Sequence, residues 1–144
     1  MQKWALLGLL VVQMHFAASY LVPLDAQSQM EFGGLLRWFW PWANGDHGPL
    51  GQMTTADGFP LPGLFLAMAA AALFVGAALA LLQLWVPFAW WRPLAGVAAV
   101  LSVVLMALFF APTKVLPIGL DLLVLWLVVA HASTVAAQVA PNGT

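Results

Sequence analysis

The feature that most limits what this chain can become is a set of four long apolar stretches, at about residues 4–22, 64–86, 94–111 and 116–139, of which only the last contains a formal charge, Asp121. About 20 residues rising about 1.5 Å each match the roughly 30 Å of hydrocarbon in a bilayer. An unpaired peptide group in that medium costs several kcal/mol, so a crossing segment has to be a helix or a strand of a closed barrel. Barrel strands are about half as long and alternate in polarity, and these stretches do neither. The expectation is an all-α integral membrane protein, residues 1–144 forming a single domain of four transmembrane helices.

The punctuation agrees with that reading. Pro23, Pro62, Pro87, Pro93, Pro112 and Pro117 all fall at the proposed ends, where a missing backbone N–H does least harm. Trp85, Trp90 and Trp91 cluster around the second connection, where amphipathic rings favour the headgroup layer. Lys3 and the apolar run after it resemble a signal peptide, but Phe16 fills the position before Ala17-Ala18 that cleavage reserves for a small residue, so the segment is expected to stay as the first span.

Charge narrows the partners. Only 6% of the residues are charged, against about 25% in a soluble domain. Lys3, Arg37, Arg92 and Lys114 are too scattered to form a basic surface, which excludes nucleic acid as a partner. With no cysteine, disulfides, iron–sulfur clusters and thiolate-bound zinc are excluded too. Asp25, Glu31, Asp46 and Asp57 all sit in the connection 23–61. Placing that loop outside, and Lys3 and Arg92 inside, puts both termini in the cytoplasm of a bacterial inner membrane.

The loop carries its own helix signal. Ser28 and Glu31 form a capping box, and Phe32, Leu35, Leu36 and Phe39 follow at helical spacing until Pro41. These residues predict an amphipathic helix on the non-cytoplasmic interface, with Trp38, Trp40 and Trp42 at headgroup depth. Asn44-Gly45, Gly48-Pro49 and Asp57-Gly58 then mark turns leading to the second span.

Polar residues within spans are costly, and each needs a role: Gln13, His15 and Ser19 in the first span, Gln83 late in the second, Ser102 in the third, and Asp121, His131, Ser133, Thr134 and Gln138 in the fourth. His15, with Ser19 a turn further on, and His131, heading a stripe with Thr134 and Gln138, carry imidazoles that could ligate haem or a chlorophyll-type pigment. The plainer role of His15 is an interhelical hydrogen bond of about 0.6 kcal/mol, and that of the His131 stripe is a hydrated helix end. As a pair on one haem the two histidines sit about 6 Å apart in depth, an awkward fit. Asp121, four residues after Pro117, reads as a first-turn carboxylate in the helix dipole or as a proton or cation site. His47 beside Asp46 matches no metal motif, and no hydrolase or nucleotide-binding motif is present. Ala72, Gly76 and Ala80, four apart, offer a small-residue face for close helix packing.

These readings converge on a non-catalytic accessory subunit bound to other membrane subunits in a larger complex. An electron-transfer assembly, respiratory or photosynthetic, is the expected kind, with lipid, quinone or pigment held in the gaps. A haem- or chlorophyll-ligating redox subunit using His15 or His131 is the second expectation. A small transporter or channel using Asp121 is the third.

Overall fold

The computed structural model describes residues 2–22, 36–42 and 61–130. Phe32, Leu35, His47, His131, the capping box and the far end of the fourth predicted span lie outside the described residues. Every regular element described is helical, and four of the helices are long and apolar enough to cross a membrane.

The four are α1 (Gln2–Ala18, extended by a 3-10 turn Ser19–Leu21), α2 (Leu61–Leu82), α3 (Trp91–Leu108) and α4 (Val115–Val129). Two of them start earlier than the apolar runs suggest. Pro62, Pro93 and Pro117 lie inside the first turns of α2, α3 and α4 rather than outside them. A first turn has no use for the missing N–H, and the fixed φ of proline suits it. The predicted fourth span covers 116–139, of which α4 accounts for the residues up to Val129.

The helices run up, down, up and down. α1 packs on α2, α2 on α3 and α3 on α4, and a smaller α1–α4 contact closes the bundle. One end carries Leu6, Leu81 and Trp91, and the other carries Tyr20, Gly63 and Phe109. Inward positions alternate three and four residues apart: Leu6, Leu10 and Gln13 on α1; Gly63, Ala67, Ala70, Phe74 and Ala77 on α2; Ala95, Ala99 and Ser102 on α3. That is the spacing by which helices mesh side by side in bundles. Because α2 turns mainly glycine and alanine inward, its neighbours come close. A Cβ at Gly76 would already press on Leu94 Cδ1 at 3.3 Å, and one at Gly63 would run into the Tyr20 ring, 2.7 Å from Cζ.

Between α2 and α3 the chain turns sharply. Gln83 N–H donates to Ala80 O and Leu84 N–H to Leu79 O, which closes α2 with Gln83 left-handed at φ 59°, a place usually given to glycine. Trp85 is left-handed as well, at φ 61°, and its ring is 95% exposed. Trp90 is exposed too, whereas Trp91 is buried in the core of that end, so the three tryptophans do not act alike.

Candidate functional site

Two apolar cores stack along the bundle, and a polar layer separates them. Leu6, Leu10, Phe74, Trp91, Ala95 and Val124 build one core. Phe16, Tyr20, Trp42, Ala67, Leu105 and Phe109 build the other. Between them, from three different helices, come Gln13 of α1, Ser102 of α3 and Asp121 of α4, each with no exposed surface; α2 contributes buried Ala70 at this level.

Gln13 holds the layer together. Its Nε2 donates to the Pro117 carbonyl at 3.2 Å and to Asp121 Oδ1 in a short contact. One amide thus ties α1 to both the backbone and a side chain of α4. The Ser102 hydroxyl, Gln13 Oε1 and Asp121 Oδ2 are buried and complete no hydrogen bond. Asp121 is the seventh residue of α4, whose first turn holds no acid. The first-turn reading made from Pro117 therefore fails, because the helix begins before that proline. With the dipole's effect confined to that turn, Gln13 is the partner that matters.

The second cluster sits at the Tyr20 end, where the strap Leu36–Trp42 folds back on α1. Its first residues make one helical turn, Leu36–Phe39. Trp42 is buried, its indole N–H donating to Phe16 O at 3.0 Å, its ring edge-on to Tyr20 at 4.6 Å. The Lys114 ammonium lies 4.2 Å from the centroid of that ring and donates to Phe109 O. Trp40 N–H reaches Val22 O at 2.7 Å. The two indoles bond carbonyls of the last turn of α1 and of the residue that closes its 3-10 extension, where helix carbonyls run out of backbone donors. Trp42 thus belongs to the core, while Trp38 and Phe39 are exposed.

His15 is half-buried under the same strap, with Trp40 edge-on at 5.0 Å and Nε2 2.9 Å from Phe39 O. A carbonyl only accepts, so Nε2 carries hydrogen here and has no lone pair free for a metal. Ser19 turns back on its own helix, donating to Phe16 O at 2.9 Å. Of the small-residue face, Ala72 is exposed, Gly76 half-buried beside Leu94 and Ala80 buried. Each step of four residues overshoots a full turn by roughly 40°, so the three drift around the helix.

Among the described residues no group of three histidine or carboxylate side chains could hold a metal ion. Sequence reasoning noticed Gln13, Ser102 and Asp121 one at a time and missed that they meet. The available signal was register: each occupies a core position in the alternating spacing of its own helix. Comparisons with protein-family models, with curated proteins and with solved structures find no match.

Proposed function

We propose that this chain is an integral membrane protein without catalytic activity, an accessory subunit that packs against other membrane-spanning subunits. The observation that carries the reading is what four ionisable side chains among the described residues are doing. His15 is pinned to Phe39 O, Arg92 donates to Val128 O, Lys114 to Phe109 O, and Asp121 accepts from Gln13 with no exposed surface. Each of these bonds tethers the bundle or its strap, and Lys114 and Asp121 are sealed inside, whereas a reaction or a hydrated ion path needs such groups turned toward substrate or water.

The outer surface fits the same reading. Phe65, Met68, Ala72 and Val75 form an exposed face on α2, apolar enough for lipid and small enough at Ala72 for another helix to approach. Lys3 and Arg92 share the Trp91 end, which we place in the cytoplasm with both termini. A respiratory or photosynthetic partner complex is the kind of assembly we propose, on the composition of the sequence alone. The haem-ligating alternative draws no support from His15, whose Nε2 is occupied by its hydrogen bond.

Extraction in a mild detergent followed by native gel and mass spectrometry tests the reading. The expected result is migration with larger membrane polypeptides. A chain that runs alone under several mild detergents would overturn it.

A further inference from the structure

A long groove opens on the bundle surface between α3 and α4 at the Trp91 end, about 550 Å³ in volume. Gly96, Val97, Val100, Leu125 and Val128 line it with carbon, and Arg92 stands at its mouth. From the α3 positions of Arg92 and Val100 the groove extends about 12 Å along the helix, at about 1.5 Å per residue. That fits within the roughly 15 Å of a single leaflet. An extended hydrocarbon chain matches that length and that carbon lining.

The mouth selects the headgroup. Arg92 spends Nη2 on Val128 O at 3.1 Å, but a guanidinium carries five N–H donors in a rigid fork suited to phosphate. The described residues offer it no carboxylate: the acid among them, Asp121, is sealed inside the bundle. At the depth where α3 begins and α4 ends, the anion a bilayer supplies is a lipid phosphate. Exposed Trp90, two residues before Arg92, suits the same layer. Gly96 keeps the floor of the groove low, since a Cβ there would meet only Val128 Cγ1, at an ordinary 3.5 Å.

We infer that this groove is a binding site for one anionic phospholipid, an acyl chain lying along Gly96 and Val100 and the phosphate on Arg92. The inference depends on insertion in a bilayer and not on membership of a larger complex, so a chain that purifies alone leaves it standing.

Native mass spectrometry of the full chain, released from micelles doped equally with phosphatidylglycerol and phosphatidylcholine, tests the site. One phosphatidylglycerol should be retained in preference. Arg92→Gln should lower that retention about fivefold, the factor one basic residue contributes at an anionic surface. Arg92→Lys should keep most of it, and Lys3→Gln, which removes another cation from that end, should leave it unchanged. Gly96→Leu should fill the groove and release both lipids while the thermal melt stays in place. Equal retention of the two lipids, or full retention by Arg92→Gln, overturns the headgroup assignment. Full retention by Gly96→Leu overturns the groove, and this variant decides alone if Arg92→Gln does not fold.

Discussion

Gln13 and Asp121 show how much a single residue can settle in an environment without water. Neither can find a solvent partner where it sits, so Asp121 depends on Gln13, and Gln13 on Asp121 and the Pro117 carbonyl. Gln13→Leu leaves Asp121 without its donor and should cost about 1–2 kcal/mol. Asp121→Leu should cost a similar amount. The double variant Gln13→Leu/Asp121→Leu should regain most of the loss, because it removes both members of the pair together with Gln13 Oε1 and Asp121 Oδ2, which complete no hydrogen bond. Unfolding of all three in micelles by denaturing detergent measures the coupling, and simple additivity would show that the pair contributes nothing. Gly63 makes the opposite case, since its importance lies in having no side chain. A methyl group there meets the Tyr20 ring and Phe109, so Gly63→Ala should cost about 1–3 kcal/mol through overpacking, seen as a lower melting temperature.

The elements show where local sequence speaks and where it does not. Length and hydropathy made the four helices legible, with starts wrong by about one turn because prolines were read as lying outside helices that in fact include them. The end of α2 was not legible. Gln83 is polar and adjoins an apolar run, so it reads as a late span residue, yet it adopts the left-handed conformation that closes the helix. Glycine has no Cβ to strain there, and Gln83→Gly should raise stability by about 0.5–1 kcal/mol, measurable in the same unfolding assay. Nor could periodicity along the loop reveal that Trp42 enters the core, because its seat is made by Phe16, Phe109 and Lys114 from distant parts of the chain. Trp42→Ala should cost about 3–5 kcal/mol and expose the strap to protease, whereas Trp38→Ala, at an exposed position, should do neither.

For the molecule as a whole, the polar layer and the apolar exterior are both accounted for by the lipid solvent we propose. In water the exposed Phe65, Met68, Trp126 and Val129 would drive aggregation; in lipid they are the surface. The candidate site was half legible, its residues visible singly in the sequence but their meeting hidden, since inter-helix register is a property of packing that no one segment encodes. The proposed docking of other subunits is also decided at this scale. Ala72→Trp adds bulk to the exposed face of α2 without touching the core. It should leave the melt unchanged and reduce the polypeptides that co-purify. An unchanged yield of partners would place any docking surface elsewhere.

The strap also imposes an order of assembly. Trp42 is synthesised well before Phe109 and Lys114, the side chains that frame its seat. The seat it fills cannot form until the chain through Lys114 is in place, so its docking is expected to follow the packing of α3 and to mark that stage of assembly. A nascent chain halted before Lys114 should hold Trp42 in a wet, quenchable state, and the finished protein should hide it.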